Sequence, residues 1–164
     1  MARWRASGIY RKINIVVDIV AAIWVILLSI ISYKFWVTAQ AMIPAHFNEV
    51  GTADHYLSKN SLFIIVGISI GVYILLFIMS TYPNLEKHLI KITKNNRDRQ
   101  YNLTSTFLKI LNLEAILLFV SFQMKLIKSA ESGIASITDI IILVPVVAIL
   151  ITTGIYVALI FKEK

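Results

Sequence analysis

The sequence of 164 residues contains no cysteine and few charged residues, and both shortages narrow the class of protein. Without cysteine there is no disulfide framework, no thiolate metal ligand and no thiol nucleophile. Charged residues make up 15% of the chain and hydrophobic residues 58%, whereas soluble domains average about 25% charged and about 45–50% apolar. This composition predicts a membrane protein.

Four apolar runs are each long enough to cross a bilayer as a helix. A crossing needs about 20 apolar residues, because about 30 Å of hydrocarbon is spanned at about 1.5 Å per residue. The runs lack the alternation of membrane barrel strands, and most lack the charged stripe of a soluble bundle. We therefore predict an all-α membrane protein that forms a single domain over residues 1–164. Its four helices are expected at about 15–37, 62–82, 109–127 and 137–161.

The distribution of lysine and arginine predicts how these helices are oriented. Twelve of the 16 basic residues lie before the first helix, between the second and third helices, or in the C-terminal tail. Cytoplasmic segments carry the excess of positive charge, so both termini are expected in the cytoplasm and residues 38–60 outside it. The basic residues at the cytoplasmic face are then expected to contact anionic lipid headgroups. This contact accounts for the net charge of +7 without a nucleic acid partner.

The segment between the first two helices combines turn-forming residues with apolar ones and predicts an ordered outer loop. Pro44 restricts its own backbone and that of the preceding residue, which ends the first helix. Asn48 and Gly51 tolerate tight turns, and Asp54 or Ser58 is suited to cap the second helix. We therefore expect a rigid loop that is available for recognition.

Two histidines of this loop, His46 and His55, are weak candidates for metal ligands or acid–base groups. They are nine positions apart with a turn between them, unlike the four-residue spacing of a helical zinc pair. No Ser–His–Asp arrangement or pair of catalytic carboxylates is evident either. The sequence therefore predicts a protein that is not an enzyme and holds no cofactor or metal, with His46 and Asn48 hydrogen-bonded to the loop backbone.

Seven loop positions form a pattern at fixed spacing directly between two membrane helices. They are Pro44, His46, Phe47, Asn48, Gly51, Asp54 and Lys59. The pattern resembles that of domain-of-unknown-function family 1648 (DUF1648), which bacterial SdpI-type toxin-immunity proteins carry, and the resemblance extends over about residues 10–105. It implies a small integral protein of the bacterial plasma membrane and, for immunity-type members, protection against a secreted peptide toxin.

Polar residues inside the predicted helices form a second set of candidates, because an ionisable residue costs about 2.5–3.5 kcal/mol at the centre of a membrane helix. Asp18 on the first helix and Lys109 on the third lie at similar depth, since both helices start from the cytoplasm. We expect these two residues to face each other or a shared polar pocket, unless each reaches the headgroups separately. Glu114 lies deeper, with Asn112 or Lys109 as its candidate partner.

Gly67 and Gly71 have the G-x-x-x-G spacing that lets helix backbones approach closely. We expect this pair to pack against another helix of the same chain rather than to form a dimer face.

Three functions remain open at this point. The first is a non-enzymatic binding protein, either an immunity or envelope-stress factor or an accessory subunit, which recognises a peptide or a membrane partner through its outer loop. The second is a transport-related subunit with Asp18, Lys109 and Glu114 along a polar route. The third is a metal-dependent membrane hydrolase that uses His46 and His55.

Overall fold

The computed structural model describes residues 4–85, 88–132 and 140–162, which form four α-helices and one β-hairpin. The helices are α1 (Gly8–Thr38), α2 (Leu62–Thr81), α3 (Arg97–Ser132) and α4 (Ile140–Phe161). The antiparallel strands are β1 (Met42–Phe47) and β2 (Ala53–Ser58), and they connect α1 to α2. Short 3-10 turns cover Lys59–Ser61 and Pro83–Leu85.

The four described helices are all long and apolar enough to cross a bilayer. Their outward surfaces are apolar: Ile19, Ile26, Leu150 and Ile151 are each more than half exposed. The interior contains many polar side chains, so the distribution is the reverse of that in a soluble bundle, where water is the solvent. The structure is mostly helical, and its four long apolar helices support the predicted class of a multi-pass membrane protein.

α3 is the central helix, and the other three helices pack against it. Its buried residues include the apolar Leu108 and Ile116, but also polar residues such as Gln100 and Gln123. α4 makes its main contacts with α3, which leaves most of the α4 surface exposed. The polar groups of α3 therefore lie where they can bond to α1, α2 and α4.

α1 and α3 run in the same direction with a fixed register. Asn14 lies beside Ser105, and near the opposite ends of the helices Ser32 lies beside Gln123. Both pairs are 91 positions apart in the sequence. A constant separation requires parallel helices, so α1 and α3 begin on the same side of the bundle.

Two helices begin earlier than hydropathy predicts. α3 starts at Arg97 instead of about residue 109, and α1 starts at Gly8 instead of about residue 15. The first turns of α3 are polar, but Gln100, Asn102 and Thr104 are buried against other parts of the chain. Hydropathy detects only the apolar part of such a helix. The predicted start of α4, at residues 137–139, lies outside the described residues.

The expectation of an all-α chain with a loop between α1 and α2 was incomplete, because this segment forms a β-hairpin. Pro44 lies within β1. A proline is acceptable at the edge of a sheet, where no N–H is needed for pairing. The proline and the turn-forming residues indicated an ordered loop, but not its strands.

The predicted close packing of Gly67 and Gly71 was wrong. A Cβ atom built at either position would meet no atom within 4 Å, and both glycines are exposed. The buried face of this part of α2 contains Val66 and Ser69 instead. The G-x-x-x-G spacing therefore lies on a surface that packs against no other described residue.

Candidate functional site

Asn48 and Gly51 build the turn of the hairpin. The Asn48 side-chain oxygen accepts hydrogen bonds from the backbone N–H groups of Val50 and Thr52, at 3.2 and 3.0 Å. The Gly51 N–H donates to the Asn48 carbonyl at 2.9 Å, and Gly51 has a φ of +79°, which other residues adopt only with strain. The bonding of Asn48 to the loop backbone agrees with the sequence-based expectation.

Lys59 connects the base of the hairpin to the end of α1. Its Nζ donates hydrogen bonds to the carbonyl oxygens of Trp36 and Ala39, at 3.0 and 3.3 Å, and lies 4.7 Å from the centre of the Trp36 ring. The Trp36 Nε1 in turn donates to Asn60 Oδ1 at 2.9 Å. Carbonyls at a helix end lack intrahelical donors, and a cation is favourable there. Lys59 therefore fixes the hairpin relative to the bundle.

A small apolar cluster provides the second attachment of the hairpin. Ile43 from β1, Leu62 at the start of α2 and Ile127 from α3 are buried together. The hairpin is therefore attached to the bundle at two places, through Lys59 and through this cluster.

His46 and Asp54 form an exposed pair across the two strands. The His46 Nδ1 donates to Asp54 Oδ1 over 2.6 Å, and this hydrogen bond lowers the pKa of the Asp54 carboxyl below its ordinary value. The predicted bond of His46 to backbone is thus replaced by a side-chain pair. Asp54 does not cap a helix, because Ser58 accepts the N–H of Asn60 at the turn before α2.

The strand register places His46 opposite His55 across the hairpin. The pairing is irregular on both sides of His46, and the His46 Nδ1 is hydrogen-bonded to Asp54, which precedes His55 on β2. Within the described parts of the chain, no three His, Asp or Glu side chains are grouped as metal ligands.

A largely apolar cavity of about 490 Å³ opens between the hairpin and the helices. Pro44 and Phe47 line it from β1 and Leu57 from β2, while Phe119 and Phe122 line it from α3. Its volume falls within the range of about 300–1,000 Å³ of small-ligand sites. Two positions of the sequence motif, Pro44 and Phe47, thus form part of a wall that can receive an apolar group.

The second set of candidates lies inside the bundle, where Asp18 and Lys109 form an ion pair. The Lys109 Nζ lies 2.7 Å from Asp18 Oδ1 and 2.6 Å from Oδ2. The lysine side chain is 9% exposed and the aspartate side chain 28%. The structure thus brings together the two residues whose similar depth predicted their contact. Their separation of 91 positions is the same as in the pairs Asn14–Ser105 and Ser32–Gln123.

Glu114 and Asn112 bond to other elements than expected. Glu114 Oε1 accepts a hydrogen bond from the Thr152 hydroxyl of α4 at 2.6 Å, and Asn112 Nδ2 donates to the Tyr73 carbonyl of α2 at 3.1 Å. Two residues correspond to about 200° around a helix, so Glu114 faces away from Asn112. The expected partners of Glu114, Asn112 and Lys109, were therefore wrong. The polar residues do not form one continuous route.

Several buried polar contacts have no counterpart in the sequence-based prediction. Gln123 Nε2 donates to the Ser32 hydroxyl at 2.8 Å, and Thr104 and Tyr156 join their hydroxyls at 3.0 Å. The Ser32–Gln123 pair could have been found, because it repeats the separation of Asp18 and Lys109. The Thr104–Tyr156 contact depends on how α4 packs and has no such signal.

The described part of the chain has four helices long and apolar enough to cross a membrane, with a hairpin between the first two, which is the arrangement of a multi-pass helical membrane protein. Within it, residues 22–70 match the family model "Domain of unknown function (DUF1648)", and this segment of the chain is assigned to that family. The predicted resemblance is confirmed over a narrower range than residues 10–105. Comparisons with curated proteins and with solved structures gave no match.

The matched segment runs from the middle of α1, through the whole hairpin, into α2. It therefore contains the seven motif positions. The ion pair of Asp18 and Lys109 and the buried Glu114 lie outside it. The hairpin and the polar interior are thus two separate candidate sites, and only the hairpin belongs to the family segment.

Proposed function

We propose that this chain is a non-enzymatic protein of the bacterial plasma membrane that binds a peptide through its hairpin on the extracytoplasmic side. In this proposal it acts as an SdpI-like immunity or envelope-stress factor or as an accessory subunit of a membrane complex. The observation that supports the proposal is the attachment of the family-matched hairpin to the bundle at two places, beside an apolar cavity that both of its strands line.

The arrangement of the two strands supports a peptide as the ligand. β1 lies against α3, whereas five of the six residues of β2 are exposed, and among the described residues β2 pairs only with β1. The outer edge of a strand offers N–H and C=O groups to an extended chain. A peptide added there gains main-chain hydrogen bonds, and the cavity selects an apolar side chain.

Peptide binding is tested by panning a random-peptide phage library against the full chain in phosphatidylcholine nanodiscs. We expect Leu57→Asp to weaken the enriched peptide by at least about tenfold, because it places a charge in the cavity wall. Ala45→Phe fills the same cavity with an apolar group and is expected to act alike. The matched control is Val50→Asp, since Val50 is exposed in the turn and does not line the cavity. The proposal is contradicted if no peptide is enriched. It is also contradicted if the enriched peptide binds the two cavity variants as tightly as it binds the Val50→Asp control.

The orientation is tested separately by cysteine labelling, for which the cysteine-free sequence is well suited. In intact spheroplasts, a membrane-impermeant maleimide should label Val50→Cys and leave Asn95→Cys unlabelled until the membrane is permeabilised. Both positions are exposed, so the difference reports the side of the membrane. Labelling of Asn95→Cys alone in the intact spheroplasts would invert the proposed topology.

A transport-related role is the second candidate, favoured by the buried carboxyl of Glu114. One of its oxygens, Oε2, has no hydrogen-bond partner among the described residues. Asp18 and Lys109 lie between α1 and α3, however, whereas Glu114 faces α4, so these residues do not line a common path. The hydrolase hypothesis has less support, because within the described residues no third His, Asp or Glu joins His46 and His55 as a group of metal ligands.

A further inference from the structure

A cavity of about 310 Å³, lined by charged and polar side chains together with apolar ones, lies at the end of the bundle where α1 and α3 begin. The segment before α1 covers one side of it, held by the Trp4 N–H, which donates to the Thr81 carbonyl of α2 at 3.2 Å. Arg5 and Arg11 line its exposed part, and Asp18 and Lys109 line its buried part. The part of α1 that lines the cavity runs from Arg11 to Asp18, which is about 10 Å at about 1.5 Å per residue.

The charge in this cavity is positive and incompletely neutralised. Lys109 is paired with Asp18, which leaves the charges of the two arginines in excess. Over the part of the chain that the structure describes, neither Arg5 nor Arg11 has a carboxylate within ion-pair distance. Guanidinium groups match phosphate oxygens in geometry and form strong charge-assisted hydrogen bonds to them. The surplus charge therefore favours a phosphate ester.

The buried part of the same cavity offers hydrogen-bond acceptors. A carboxylate has about four acceptor positions, and Lys109 occupies one on each oxygen of Asp18. Asp18 is 28% exposed, so its remaining positions can accept hydrogen bonds from hydroxyl groups. A volume of 310 Å³ is at the small end of ligand cavities, which suits a headgroup-sized molecule.

We propose that this cavity binds a phosphate ester that carries hydroxyl groups, with Arg5 and Arg11 on the phosphate and Asp18 accepting from the hydroxyls. Such a group can come from a lipid headgroup of the phosphatidylglycerol type or from a free glycerol phosphate. The site is independent of the hairpin and of the peptide proposed above.

The lipid source is tested with the full chain in dodecyl maltoside, by native mass spectrometry with added phosphatidylglycerol or phosphatidylcholine. Wild type should bind phosphatidylglycerol more tightly than phosphatidylcholine. The double variant Arg5→Gln/Arg11→Gln should weaken phosphatidylglycerol binding by at least about tenfold, because it removes charge-assisted hydrogen bonds. The matched control, Lys12→Gln/Lys94→Gln, removes two exposed charges outside the cavity and should change binding less than about twofold.

Phosphatidylethanol separates recognition of the hydroxyls from recognition of the charge, since it has the same phosphodiester but no hydroxyl group. It should bind at least about threefold more weakly than phosphatidylglycerol.

Calorimetry with glycerol phosphate tests the soluble source in the same variants. Binding by the wild type that disappears in Arg5→Gln/Arg11→Gln would assign the site to a free phosphate ester. Equal losses in the two double variants, equal binding of all three lipids, or binding of neither source would overturn the proposal.

Discussion

Replacing Lys109 with methionine is expected to lower the free energy of unfolding by about 3 kcal/mol. The change leaves Asp18 largely buried without its cation, and removing one partner of a buried ion pair costs about 3–5 kcal/mol. The lower end of this range applies because Asp18 is partly exposed. Unfolding in micelles by added dodecyl sulfate, followed by far-UV circular dichroism, measures the effect.

The control for this prediction is Lys128→Met, which removes a charge from the exposed surface of the same helix and should change stability by less than about 0.5 kcal/mol. Charge reversal by Asp18→Lys should also destabilise the protein, and adding Lys109→Asp should restore part of the loss. A Lys109→Met variant as stable as the control, or a double reversal without any recovery, would show that the pair does not hold α1 and α3 together.

The second large effect is expected at Ile43, where alanine should destabilise the hairpin attachment by about 2–5 kcal/mol. Ile43 is 2% exposed and packs against Leu62 and Ile127, so its truncation leaves a cavity at the contact of β1, α2 and α3. Met42 is its neighbour on the same strand but is 51% exposed, which makes Met42→Ala the matched control. Amide hydrogen exchange of residues 42–58 in nanodiscs reports the loss locally.

Faster exchange across the hairpin in Ile43→Ala, with no change in Met42→Ala, would establish that the apolar cluster holds the hairpin in place. The enriched peptide should then also bind Ile43→Ala more weakly, because a mobile site must be ordered on binding. Equal exchange in the two variants would mean that Lys59 and Asn48 are sufficient to order the hairpin.

Inside the bundle, regularities along the chain predicted the contact between Asp18 and Lys109. Asp18 and Lys109 were paired correctly because two helices that enter from the same side place equivalent positions at the same depth. Glu114 was paired wrongly, because rotation around α3 by about 200° directs it to α4 instead. The depth of a residue along the bundle follows from counting residues along its helix. The neighbour that its side chain faces depends on how the helices are arranged around one another.

The hairpin shows the same limit for short elements. Pro44, Asn48 and Gly51 indicated that the chain turns between α1 and α2 and that this segment is ordered. The two strands of six residues are held by pairing with each other and by Ile43 packing on α2 and α3. Such pairing involves residues that are distant in sequence, so local propensity did not reveal it.

Composition and residue order were sufficient to indicate a membrane protein, four helices long and apolar enough to cross a bilayer, and the family of residues 22–70, because each depends on local chemistry or fixed spacing. The central position of α3, the burial of its polar first turns and the two cavities were decided by packing alone. Polar side chains such as Gln100 and Gln123 count toward a loop or a surface in hydropathy, yet are stable inside a bundle where other helices cover them. Their burial could be known only once the helices were assembled.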